Sequence, residues 1–278
     1  MKYIYILILL FLLLICLCNN KIYENFISDD LFLSNHFSQY MDIIPSNIYQ
    51  YKINYECDDF KSEYKKNIFN LSNKYKNFLN MHTKKCDKIL CFNNLKNLNL
   101  YPWKFKLSKN IEMGMPYTLG SYIIFNQEYL DNLLDNKINK NLLNTLIHEK
   151  LHVIQRSNPK QFNIFYRNNY KFLGRKILLK DVPNNILNKY MINPDSNFDF
   201  WLYNIDGKEY YPILDCNINE VAYDKNHNKL NLNEFKNRLN YNNHISFYHP
   251  NEIFACDASH QIMNNNLDNN YKVFLLLL

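Results

Sequence analysis

The stretch "NTLIHEKLHVIQR", residues 144–156, sets two histidines four apart with a glutamate directly after the first. Four residues are close to one turn of an α-helix, so His148 and His152 leave the same face and can aim both rings at one point. Zinc accepts imidazole nitrogens at about 2.0–2.1 Å, and a hydrolytic zinc site takes a third protein ligand and keeps a fourth position open. Glu149, rotated about a third of a turn from His148, is free to act as the base that deprotonates a zinc-activated water. A random chain of this composition would contain the pattern about 0.008 times. The flanks "LLNTLI" and "LHVI" are apolar, which marks the helix as central, and polar groups buried there without a metal would need other partners.

The third ligand lies elsewhere. A glycine three residues and a histidine six residues beyond His152 would place it on the same segment, but those positions hold Gln155 and Asn158. A glutamate from a later helix is the remaining common solution, and "HPNEIFACDASHQI" (249–262) offers Glu252 in a first turn that opens on Pro250, the favoured place for proline. Ala255, one turn on, is small enough to let this helix lie against the first. His249 and His260 are the main alternatives, with Glu220 and Asp257 behind them. A donor for a developing oxyanion is also needed, for which Tyr248, His249 and Tyr166 are candidates and Tyr248 is taken. Gln155 and Arg156 read as anchors of the motif helix.

Working outward, the 278 residues are 47% hydrophobic, enough for one generous core, and only 4 are glycine, which excludes linker-like and collagen-like chains. The charge of +6 is spread along the chain without a basic run, so no nucleic-acid partner is expected. Residues 1–20 hold Met1-Lys2, the uncharged run "YIYILILLFLLLICLC" and a polar exit, the layout of a secretory signal, cleaved or retained as an anchor. The expected destination is therefore secreted, or membrane-anchored through that segment. Cys57, Cys86, Cys91, Cys216 and Cys256 lie beyond it, and "CDKILC" (86–91) can form a short disulfide loop in an oxidising compartment.

Residues 21–100 read as a mostly helical region. Phe60, Tyr64, Ile68, Leu71, Tyr75, Phe78 and Leu79 give one helix from about Asp58 to Asn80 a continuous apolar face. From residue 101 the pattern changes. "WKFKLS" (103–108) and "YTLGSYIIF" (117–125) read as strands, the second with Gly120 inside it. After the motif helix, "QFNIFYRNNYKFLGRKIL" (161–178) reads as helical, and "FDFWLYNIDGKEYYPIL" (198–214) as two strands joined at Asp206-Gly207. The closing "YKVFLLLL" is too short to span a bilayer and reads as a buried terminal element. The layout is α+β, with a small mixed sheet and an active-site helix in residues 101–278.

"TLIHEKLHVIQR" followed by "HPNEIFA" resembles the gluzincin branch of zinc metallopeptidases, over roughly residues 101–262. The resemblance implies a zincin-like catalytic domain, Zn2+ held by His148, His152 and Glu252, and Glu149 as base. It also implies that the strand "PYTLGSYIIF" edges the sheet over the cleft and pairs with an extended peptide or protein substrate. The chain departs from better-known relatives four residues after Glu252, where Cys256 replaces an acid that would orient a ligand histidine. The expected function is a zinc-dependent peptide-bond hydrolase. The alternatives are a catalytically inactive metallopeptidase-like binding protein at a membrane or particle surface, and a secreted structural protein without metal.

Overall fold

The computed structural model describes residues 29–53, 57–134, 138–196, 198–239, 241 and 245–278. The leader expected over residues 1–20 lies outside these, and no helix among the described residues is long and apolar enough to cross a membrane.

The architecture is mixed α and β. Helix α1 (Asp29–Ile43) leads to α2 (Phe60–Lys66), the two-residue strand β1 (Ile68–Phe69) and α3 (Asn73–Phe92). The single helix expected over 58–80 is thus two helices with a strand between them. Asn67 caps α2, its side-chain amide donating to the Glu63 carbonyl, and β1 then pairs with the strand that follows α3. The apolar spacing continues unbroken because helix and strand bury the same side of the chain against one core. A disulfide between Cys86 and Cys91 does not form. Both lie in α3, five residues and so about 140° apart around the axis, and both are free, Cys86 buried and Cys91 exposed.

Strands β2 (Phe105–Ser108), β3 (Tyr117–Leu119) and β4 (Tyr122–Asn126) join β1 in a mixed four-stranded sheet, order β1-β2-β4-β3, in which β2 and β4 run parallel. "YTLGSYIIF", expected as one strand, is a tight hairpin. Leu119 pairs with Tyr122, and Gly120 turns the chain at φ +61°, a conformation a side chain disfavours.

The motif helix α4 (Lys140–Ser157) packs on β3 and β4 and against α3. Asn139 caps it by accepting from the backbone N–H groups of Asn141 and Leu142, at 2.9 and 3.1 Å. Every residue from Glu149 to Gln155 is buried, as a helix covered on all sides requires. The following helix α5 (Pro159–Asn169) stops at Asn169, and the expected helical continuation is instead strand β5 (Leu173–Leu178). It begins an antiparallel meander with β6 (Asp199–Ile205), β7 (Lys208–Leu214), β8 (Glu220–Asp224) and β9 (Lys229–Asn231). Asp206 and Gly207 turn β6 into β7 with φ of +53° and +77°.

The next two turns share one local design, "DCNIN" (215–219) and "DKNHN" (224–228). In each, the aspartate Oδ1 accepts the backbone N–H groups two and four residues on, and the fourth residue, Ile218 or His227, takes a positive φ. Helix α6 (Leu232–Arg238) follows, then α7 (Pro250–Met263), which lies along α4, and α8 (Asn269–Leu276). In α8, Tyr271 and Leu275 are buried while Val273, Leu276 and the C-cap residue Leu277 are exposed, so only one face of the apolar tail joins the core, less than its sequence suggests.

Candidate metal centre

Two helices bring the predicted residues together. On α4, His148 Nε2 and His152 Nε2 are 2.9 Å apart. Glu252, on α7, divides its carboxylate between them: Oε2 is 3.5 Å from His148 Nε2 and Oε1 is 3.3 Å from His152 Nε2. The local sequence explains where Glu252 stands. His249 caps α7 through Nδ1, which accepts the Asn251 N–H at 3.2 Å, Pro250 starts the helix, and Glu252 occupies the first turn, where the helix dipole favours an acid.

The amide of Gln155 fixes the tautomer of His152. Gln155 Nε2 donates to the Asn251 carbonyl at 2.9 Å, so its Oε1 is the end that faces His152 Nδ1, at 2.7 Å. In the neutral ring Nδ1 then carries the proton, and Nε2 keeps the lone pair that faces the point shared with His148 and Glu252. Gln155, expected only to anchor the helix end, therefore orients the His152 ring. Beside His148 stands Cys256: His148, Glu252 and Cys256 form one group whose ligand atoms lie within 4.8 Å of one another, and His152, Asp195 and Glu252 form another.

The electrostatics of the cluster suit a cation. Burial alone would lower the pKa of both histidines, but Cys256, Glu252 and Glu149 raise that of His148 well above the usual range, and Glu252 and Asp195 raise that of His152. Burial would likewise raise Glu252, yet the two imidazoles hold it well below the ordinary carboxylate range. Two buried bases and one acid thus share positive charge at a single point. Glu149, 4% exposed, has an Oε2 without a hydrogen-bond partner. Burial and then Asp195 push its carboxyl up to about 8. An imidazole–imidazole–carboxylate set beside an unpaired carboxylate oxygen fits zinc and a base next to it.

His148, Glu149, Asp195 and Glu252 line a cleft of about 600 Å³. Tyr248 lines it too, with its hydroxyl oxygen accepting from Asn193 Nδ2 at 2.6 Å, while burial and the neighbouring Glu252 raise its pKa. The other named candidates serve elsewhere. Tyr166 donates to Asn251 Oδ1 within the core, His260 is on the exposed side of α7, Asp257 accepts from Tyr271, and Glu220 accepts from Ser246 and the Phe247 N–H at the far side of the cleft. Glu112 also lines the cleft, accepting from Lys52 Nζ at 2.6 Å and from the hydroxyls of Tyr40 and Tyr64, and Lys52 brings the region ahead of residue 101 into its wall.

Sequence reasoning missed Asn193 and Asp195, which lie just before and within a single 3-10 turn (Pro194–Ser196) too short to carry a periodicity. Asp195 accepts from the Thr118 backbone N–H at 2.8 Å and from its hydroxyl, and lies 3.8 Å from Arg156. Arg156 also donates to the carbonyls of Gly120, Thr118 and Pro194. The expectation that a substrate strand pairs along this edge fails at Thr118 for that reason: β3 is the edge, but its outward N–H and C=O are already bonded to Asp195 and Arg156. Compared with known proteins, the chain matches no protein-family model, no curated protein and no solved structure.

Proposed function

We propose that this chain is a zinc-dependent peptide-bond hydrolase with a zincin-like catalytic region of gluzincin type. The observation that carries the reading is the convergence of His148 Nε2, His152 Nε2 and both Glu252 oxygens on one point at a cleft, with Glu149 Oε2 unpaired nearby. His148, His152 and Glu252 would hold the ion. Zinc bound there supplies Lewis acidity, polarising a substrate carbonyl and acidifying water to a pKa of about 7. Glu149, whose Oε2 has no hydrogen-bond partner, takes the proton of the attacking water and passes it to the leaving amine. Tyr248 offers its hydroxyl proton to the oxygen on which charge develops. The substrate is a peptide or protein, read in a secreted or membrane-anchored setting.

The test is Glu149→Gln. It should leave zinc bound at one ion per chain and lower the hydrolysis of a mixed peptide library by about 10²–10⁴-fold. Full activity in that variant sinks the proposal.

One observation favours a second reading, a metal-holding protein without turnover. Cys256 stands within ligand range of the His148–Glu252 pair, and a thiolate there would complete four protein ligands and close the site. Cobalt substitution separates the two: a sulfur-to-cobalt charge-transfer band, lost in Cys256→Ser, belongs to the closed site, and its absence to the open one.

A further inference from the structure

We infer that Asn193 is a positioning residue whose one amide holds the Glu252 ligand and the Tyr248 phenol in fixed relation. The inference rests on the hydrolase reading above and adds to it how the third ligand and the oxyanion donor are coupled.

The amide can sit only one way round. Its Oδ1 accepts the backbone N–H of Asp195 at 2.9 Å, so the opposite end is Nδ2. That nitrogen carries two protons and meets two acceptors, Glu252 Oε1 at 2.9 Å and Tyr248 Oη at 2.6 Å. Each consequence is chemical. The bond to Oε1 fixes the rotation of the carboxylate, which keeps Oε2 turned toward His148. The bond to Tyr248 uses the phenol oxygen as acceptor, so the phenol's own proton must point elsewhere. Tyr248 lines the cleft beside Glu149 and Glu252, and an acceptor placed there receives that proton.

The backbone of Asn193 is itself held. Pro194 restricts the residue before it, Ser196 Oγ donates to the Asn193 carbonyl at 2.8 Å, and Asp195 is tied to Thr118 and Arg156. A neutral amide is also the small group suited to the place. It donates twice, whereas a carboxylate would offer no proton to either partner and would face Glu252 with like charge.

The test measures zinc affinity by chelator competition, and kcat and KM on a peptide substrate at saturating zinc, for wild type, Asn193→Ala, Tyr248→Phe and the double variant. Asn193→Ala should weaken zinc binding about 10–100-fold and lower kcat about 10²-fold with KM little changed. Tyr248→Phe should lower kcat comparably and leave zinc affinity unchanged. The double variant should be no slower than Tyr248→Phe alone, because the phenol Asn193 aims is gone. Asn193→Asp keeps the acceptor for Asp195, and so the loop, but removes both donors; its kcat should fall as in the alanine variant, which guards against misfolding of the latter. Wild-type zinc affinity and kcat in both Asn193 variants, or strictly additive losses in the double variant, overturn the inference and leave the hydrolase reading standing. A wild type that binds zinc but cleaves nothing defeats the hydrolase reading, and zinc affinity in Asn193→Ala then still decides the link to Glu252.

Discussion

His152 shows how much of the centre depends on partners one step from the metal point. Gln155 gives it one tautomer only, so Gln155→Leu should lower zinc affinity about 10–100-fold while the chain stays folded, measured by chelator competition. Glu252→Ala removes the acid between the two imidazoles and should abolish stoichiometric zinc, read by metal analysis of purified protein. The meeting of His148, Glu149 and His152 on one helix was legible because helical periodicity is a local property. Glu252 was legible through its position after His249-Pro250. Gln155, Asn193 and Asp195 were not, because what they do depends on which backbone groups arrive opposite them when α4, β3 and α7 pack together.

Among the elements, the clamp between α4, β3 and the 193–196 segment carries the clearest stability prediction. Arg156 and Asp195 are 7% and 4% exposed, and burial pushes the Arg156 guanidinium down only to about 10, so it remains charged at neutral pH. Arg156→Leu leaves Asp195 buried without its cation and should cost about 3–5 kcal/mol, read as a lower urea midpoint with unchanged m-value. The elements themselves were half legible. Caps and turn glycines marked α4, α7 and the β6–β7 hairpin. They were misread where one apolar rhythm crossed a break, as at Asn67, and where Gly120 stood inside a run that looked like one strand. The aspartate–asparagine turns that pace β7, β8 and β9 are not legible because, in a chain so rich in asparagine, they do not stand out from the surface.

For the molecule as a whole, an aromatic cluster ties α5 and α8 to α7, the helix that carries Glu252. Phe162 and Phe165 of α5 pack against Phe254 of α7 and Phe274 of α8, with ring centroids 4.5–5.2 Å apart for these four cross-helix pairs. Leu275 is fully buried in α8, so Leu275→Ala should cost about 2–5 kcal/mol in denaturant unfolding. Two buried histidines should each weaken the fold in acid, the effect of one of them offset by Glu149, whose raised carboxyl adds stability as pH falls from about 8 toward 4.5. Burial, helped by Arg156, pushes His36 down to about 2, and burial pushes His249 down to about 3 against the opposing pull of Glu252. Both stay neutral in the fold while the unfolded chain protonates them near pH 6.5. Their contribution is complete above pH 6.5 and is lost as pH falls toward 3, on the order of 1.4 kcal/mol per pH unit for each. Urea unfolding of the chelated protein between pH 6.5 and 4.5 checks this: His249→Asn keeps a capping side chain, removes that titration and should flatten the slope.

The bonding of Thr118 has a consequence for how copies of this chain meet. An open strand edge is a template on which another molecule can add its own strand and begin a growing stack. Here the outward groups of β3 are taken by an aspartate and an arginine of the same chain, and the strand at the other end of that sheet is only two residues long. The clamp that shapes the cleft thus also blunts the edge, and its loss in Arg156→Leu should appear as aggregation on concentration, seen by light scattering, as well as in the urea midpoint.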